Sequence, residues 1–349
     1  MLKNEAFKIL VTPITIGVCF FIPAISFAQV KWVNVDADFA PLPSTVQVFK
    51  TTDSLDSKPF IAYYVKAKLK DRMLDFTTDT TLNRRLTPLQ FYEKNDKPLV
   101  LVNCTFFSYE TNRSLNVVIK KGKLVGYNMH TIPMRGKDTF QYKHPLGSAL
   151  GIDKKRNADV AWLFTDSLKN YPYALQMPSG AIKDSIPSLQ MSSLTKHGAL
   201  KFSFYAEKIS DLAPDLMQED KWRLNKWKMN VAVGGGPVIV QNGKVVIANE
   251  EELKFTGKAI NDKHPRTCMG YTNDGYLIIM VIQGRFPGIA EGATLEEEAK
   301  LLLDLGCVEA LNLDGGGSSC MLINGKETIK PSEKGIERPV PAVFVIKQN

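Results

Sequence analysis

"TLEEEAKLLLDLGCVEALNL", residues 294–313, decides how the chain folds. Thr294 is a good N-cap, and Glu297, three residues on, completes a capping box. Leu295, Ala299, Leu302 and Leu303 recur at helical spacing on one face, and Gly306 suits a C-terminal stop. The spacing predicts a helix over 294–306. The apolar run "YLIIMVI" (276–282) precedes it and "CVEALNL" (307–313) follows it. Strand, helix and strand make a crossover unit, so the two strands should run parallel in one sheet. Their carboxyl ends then share an edge, where ligands of such sheets bind. "QGR" (283–285) and "DGGGSS" (314–319) fall on that rim.

Outward from this unit the chain reads as short strands joined by tight turns. "NVVIKKGKLVGY", "PVIVQNGKVVIA" and "SSCMLINGKETI" each read as strand, turn, strand, and "TCMGYTNDGYLIIMVIQG" is a fourth hairpin. "PLVLVN" ends in Asn103, and "NVAV" (230–233) runs into a second glycine triplet that includes Gly235. The class expected is α+β: a mixed, strand-rich sheet core with β-hairpins and a βαβ crossover near the C-terminus. The hairpins keep no fixed period, so no repeat architecture is expected. The polar stretch 183–220 reads as a possible irregular insertion within one domain, 29–349.

The first residues read as a leader. Two lysines in "MLKNEAFK" precede the apolar run "ILVTPITIGVCFFIPAI", and Ser26 and Ala28 are the small residues expected before a cleavage point after Ala28. A signal peptide over 1–28 implies export to the periplasm or the extracellular space, with no stable membrane insertion after cleavage. Removing Lys3, Lys8 and Glu5 changes 44 basic and 36 acidic residues to 42 and 35, a mature charge of +7. The runs "KKGK" (120–123) and "KKR" (154–156) are short and lack interleaved aromatics, so they read as solvated turns with no nucleic-acid footprint. Cys104, Cys268, Cys307 and Cys320 show no CxxC or zinc spacing and are expected as buried thiols.

Chemistry concentrates at the strand ends. In "LNLDGGGSSC" (311–320) the glycines Gly315, Gly316 and Gly317 can turn several N–H groups into one concavity for phosphate-like oxygens. Ser318 and Ser319 add hydroxyl donors, and Asp314 stands at the lip, facing the atom under attack. A tight loop needing positive φ is the plainer alternative. In "HPRTCMG" (264–270) Arg266 can grip a phosphate through two parallel hydrogen bonds, with Thr267 beside it. His264 is a candidate proton donor, Asn103 a donor and acceptor for sugar or phosphate, and Glu110 a second carboxylate. Arg285 and Gln283 join from the crossover rim. Phe106, Phe107, Trp222 and Trp227 read as packing residues.

The ordered set "NCTFF", "GGGPVIVQNGK", "HPRTCMGYTNDGYL", "QGR", "TLEEEAKLLLDLG" and "LNLDGGGSS" resembles the phosphodiester glycosidase family. The resemblance runs from about Val46 to the C-terminus. It implies hydrolysis of a sugar joined through its anomeric carbon to a phosphodiester, with Asn103, Arg266, Asp314 and the glycine loop with Ser318 forming the site. The implied partner is a phosphorylated sugar or glycan. Three positions depart from the family's habit: Gln283 stands where related sequences often carry Asp, Cys104 where Gly or Ala is usual, and Cys320 where Thr is common. The first puts a two-carboxylate scheme in doubt. No cofactor and no metal is required by these residues. A non-catalytic binder of anionic cell-surface glycan is the alternative. A serine hydrolase built on Ser318 lacks the GxSxG elbow.

Overall fold

The computed structural model describes residues 30–133, 142–178, 200–201 and 223–349. The expected leader, Trp222 and nearly all of the stretch 183–220 lie outside the described residues. Three sheets surround one core. The first has eight strands, with Val46–Thr51, Ile61–Lys68, Tyr276–Gln283, Arg266–Thr272, Cys307–Asn312 and Val238–Gln241 side by side in its middle.

The crossover is present, with a twist on the expectation. Tyr276–Gln283 and Cys307–Asn312 each pair antiparallel with Arg266–Thr272, so they run parallel to each other with that strand between them. The "TNDG" turn, with Gly275 at φ +86°, folds Arg266–Thr272 back onto Tyr276–Gln283 and fills the place a parallel neighbour would take. No parallel ladder forms among the described strands, so the sheet expected to be mixed is antiparallel. With three α-helices among the described residues, the fold is mostly β and fits α+β only loosely.

The helix spans Leu295–Asp304. Its capping box is complete: Thr294 Oγ1 accepts from Glu297 N at 3.1 Å and Glu297 Oε2 accepts from Thr294 N at 2.8 Å. Leu295, Ala299, Leu301 and Leu302 bury against Cys268, Ile278, Met280 and Ile282 on one face of the first sheet. Removing a fully buried leucine such as Leu302 costs about 3 kcal/mol. Met269, Ile279, Val281 and Leu311 face the other way. There they meet Val100, Val102, Met321 and Phe344 of a five-stranded sheet, and Leu150, Val160, Trp162 and Val231 of a second eight-stranded sheet.

The three short hairpins form as read. Lys121–Gly122, Asn242–Gly243 and Asn324–Gly325 all have positive φ at both residues, the two-residue turn whose twist matches paired strands. Among the described residues, Cys104, Cys268, Cys307 and Cys320 are buried free thiols, as expected. Among the described residues no helix is long and apolar enough to cross a membrane. Each sheet delivers a strand end to one place: Asn103 from the five-stranded sheet, Arg266 and Asn312 from the first, Gly234 from the second.

Candidate active site

Asn103 ties these ends together. Its Oδ1 accepts from Thr267 Oγ1 at 2.9 Å and from Cys320 N at 3.0 Å, while Nδ2 donates to Asp314 O at 2.6 Å. Asp314 N donates to Cys104 O at 2.8 Å, and Leu313 N to Thr267 O at 2.8 Å. Asn103 and Thr267 are both 0% exposed. Expected to touch substrate, they are instead spent on holding Asp314 in place, because fully buried amide and hydroxyl groups need protein partners.

Asp314 is half-buried as a residue, yet its Oδ2 is sealed from solvent without a hydrogen-bond partner. Burial pushes its carboxyl up to about 7, and a hydrogen bond from Ser318 and the charge of Arg338 pull back against that rise. Arg338 NH1 donates to Ser318 Oγ at 3.4 Å, so the hydroxyl links guanidinium to carboxyl. Arg338 is steadied by an ion pair with Glu333 and lies 5.8 Å from the Tyr109 ring centre.

The glycine loop serves these arginines. A side chain at Gly317 would collide with the Arg338 guanidinium, and one at Gly316, where φ is +61°, would stand 3.1 Å from Arg285 NH2. Gly316 N is already given to Pro265 O at 2.8 Å, Ser318 N to Gly315 O at 3.1 Å and Ser319 N to Gly316 O at 3.3 Å. The concavity expected to take phosphate on bare backbone is thus partly satisfied from within, and two guanidinium groups crown it.

Arg266 has another job. It is 2% exposed, donates through Nε to Ala293 O at 2.9 Å and through NH2 to Asp262 O at 3.3 Å, and lies 5.7 Å from the Phe255 ring centre. It sits on the helix side of the sheet, near buried Glu298, whose carboxyl burial pushes up to about 7 while Arg266 draws it back. The guanidinium expected beside Asp314 is therefore Arg338, which the sequence reading passed over. An arginine in "IERPV" carries no spacing signal.

The remaining candidates divide. His264 lies at the rim, paired through its backbone with Ala293; burial and then the Arg266 and Arg285 charges lower its pKa, leaving a neutral ring at pH 7. Its Nδ1 is sealed and unpartnered. Ser319 Oγ is also buried without a partner. Gln283 is buried and accepts from Lys330 N at 2.9 Å, pinning the segment that leads to Arg338 rather than facing substrate. Gly235 is a close-approach residue: a side chain there would sit 2.5 Å from Asn312 O. Glu110 is exposed in the turn next to Tyr109.

Of a second wing of the site, only the glycine triplet with Gly235 was read from sequence. Gly236 N donates to Asn312 O and Asn312 Nδ2 donates to Gly236 O, both at 2.7 Å. At Gly236, φ +123°, a side chain would collide with Glu252 and Lys254. These line a cavity of about 230 Å³ with Phe106, Phe107, Asn116 and Met129 among others. Phe106 and Phe107, expected in the core, wall this cavity. Among the described residues no three His, Cys, Asp or Glu side chains cluster to hold a metal ion.

The geometry thus places a sealed carboxyl at three converging strand ends, beneath two arginines. The phosphodiester glycosidase family model matches residues 96–347, well over half the chain, and the chain belongs to that family. Over 87 residues it is 42% identical to the SPbeta prophage-derived protein YomE of Bacillus subtilis, covering 25% of this chain and 13% of that one. Over 103 residues it is 33% identical to the N-acetylglucosamine-1-phosphodiester alpha-N-acetylglucosaminidase of Bos taurus, covering 27% of this chain and 19% of that one. The matches therefore span less than a fifth of either relative. The fold also matches the zebrafish catalytic domain of that enzyme, solved in a form auto-inhibited by its pro-peptide. That match has a TM-score of 0.54 at 17% identity, over 92% of this chain and 89% of the other.

Proposed function

We propose that the chain hydrolyses a glycosyl phosphodiester at the anomeric carbon, and that the leader over 1–28 delivers it outside the cytoplasm. Water adds to the anomeric carbon, the bond from that carbon to the phosphate oxygen breaks, and the phosphate departs as a monoester carrying the electron pair. A monoester leaves readily, so no strong acid is needed. The working form of Asp314 is then the carboxylate, as nucleophile or as the base that takes the proton of water. Arg338 and Arg285 stabilise the charge that grows on the departing phosphate. Asn103 and Thr267 hold Asp314 in register, and Arg266 holds the rim.

The observation that carries this reading is the Asp314 carboxyl, raised to about 7 by burial and linked through Ser318 to Arg338. The family's glycosidases make the reaction class the natural one to test, and the name of the mammalian enzymes points to the first substrate. The mature protein should release N-acetylglucosamine from its 1-phospho methyl diester, with the sugar 1-phosphate and aryl glycosides as controls. Asp314→Asn should abolish that release. Saturable binding with no turnover, unchanged in Asp314→Asn, would instead identify a glycan binder.

A further inference from the structure

The second wing has a chemistry of its own. Glu252 is 1% exposed and its carboxylate is fully engaged: Oε1 accepts from Trp162 Nε1 at 3.0 Å and Val238 N at 2.8 Å, and Oε2 from Ser148 Oγ at 2.6 Å. Lys254 lies beside it, its stem against Gly236. The Nζ of Lys254 makes no salt bridge within 4 Å among the described residues. It lies 5.6 Å from the Phe106 ring centre and lines the cavity of about 230 Å³. Glu252 is its counter-charge, but Nζ makes no hydrogen bond among the described residues, and a ligand anion would supply the missing acceptors.

The rest of the lining restricts what accompanies that anion. Phe106, Phe107, Leu115, Met129, Ile132 and Pro145 are apolar. The polar side chains there are already spoken for: Asn116 gives Nδ2 to Gly235 O and takes Phe106 N on Oδ1, and Glu252 is saturated. A sugar ring would bring several hydroxyls into a space whose one free side-chain donor among the described residues is Lys254, leaving them unpaired at a cost of kcal/mol each. An alkyl or aryl chain fits without that loss.

The cavity and Asp314 hang from shared supports. Gly236, against which the pair packs, is clamped in both directions to Asn312, two residues before Asp314. Cys104, which holds Asp314 N, is two residues before Phe106. Both supports thus tie the cavity wall to the strand end that carries Asp314.

We infer that Lys254 and this cavity receive the phosphate and the non-sugar arm of the substrate, and that this arm is an alkyl or aryl group rather than a second sugar. The inference rests on the glycosidase reading for its place in the reaction but not for the chemistry of the cavity, and the test separates the two. The probes are hexyl phosphate and benzyl phosphate, which have no glycosidic bond, titrated calorimetrically into the mature protein beside hexanol and mannose 6-phosphate. Hexyl and benzyl phosphate should bind at least roughly tenfold more tightly than either control, and Lys254→Met should lose roughly tenfold or more of that affinity, the effect of losing one charge-assisted contact. Met129→Trp, a change at the cavity mouth, should lose hexyl phosphate binding with its unfolding temperature kept, which covers the case where Lys254→Met folds poorly. Equal binding of mannose 6-phosphate and hexyl phosphate, or undiminished binding in both variants, overturns the inference. Matched N-acetylglucosamine 1-phosphodiesters then report on the reaction. Failure to turn over any of them, with alkyl phosphate binding intact, removes the glycosidase reading and leaves the cavity's specificity standing.

Discussion

Two glycine triplets, Gly234–Gly236 and Gly315–Gly317, flank the site and look alike in sequence, yet each is there for something different. At 315–317 the missing side chains let Arg338 and Arg285 come down onto the loop from the solvent side. At 234–236 they let one strand end press against Asn312 and admit the buried Glu252 and Lys254. One triplet gathers positive charge where phosphate would arrive, and the other adjoins a largely apolar pocket that holds Lys254. A glycine run announces that something approaches the backbone closely. It does not say what.

The sharpest way to break this contrast is at Asp314, between the two wings. Asp314→Asn should lower kcat by about a thousandfold, within the range for a group that acts on the reacting atoms. It should not lower stability at pH 7. The folded-state carboxyl is raised to about 7, above its unfolded value, so ionising it in place costs stability. That cost grows as pH rises from the unfolded value through 7 and is absent below both. The amide avoids it, so Asp314→Asn should flatten the fall in stability between about pH 4 and 7 in urea titrations. A variant that unfolds more easily at neutral pH would mean that the carboxylate is held by partners absent from this account.

The second test sets the two arginines against each other. Arg266→Leu should destabilise the fold by an amount on the order of 3 kcal/mol, since it leaves buried Glu298 without its nearest positive charge, and chemical unfolding reads this directly. Arg338→Met should leave stability nearly unchanged but lower kcat/KM on a glycosyl phosphodiester by roughly a hundredfold, the scale of one lost transition-state donor. The reverse pattern, with Arg266 kinetic and Arg338 structural, would return the phosphate to the strand start and dismantle the division of labour between the rims.

These tests also mark what was legible in the sequence. Elements fixed by local chemistry were readable: the capping box at Thr294 and Glu297, the Asn-Gly turns, and the strand ends on either side of the helix. So was the place of Asp314, just past a strand end and before three glycines. What could not be read depends on side-chain direction across the sheet. Arg266 and Thr267 are neighbours, yet alternation along the strand sends Arg266 toward the helix and Thr267 toward Asn103. Lys254 and Arg338 are brought in by the strand order, and nothing local in "EELKF" or "IERPV" foretells them.

A third, milder effect follows from the Arg338 link to Asp314. With the carboxylate as working form, kcat/KM should fall about tenfold per pH unit below the Asp314 pKa of about 7 and level off above it. Arg338 draws that pKa down, so Arg338→Met should move the limb toward higher pH, while Arg266→Leu should leave it in place. A rate that falls as pH rises through 7 would make Asp314 the acid instead.

The smallest effect expected is at Gln283, where the family often has a carboxylate. Its Oε1 holds Lys330 N, at the base of the segment that carries Glu333 and Arg338. Gln283→Ala removes one buried hydrogen bond and should cost about 1 kcal/mol. Because the contact steadies Arg338 only through the chain between them, KM should rise by about twofold or threefold with kcat nearly unchanged. Gln283→Asp is the informative partner. Its shorter side chain withdraws the acceptor from Lys330 N and puts a carboxyl in place of the amide. If that variant gained turnover over the parent, Gln283 would belong to the reacting centre after all, and the first rim would need redrawing around two carboxyls instead of one.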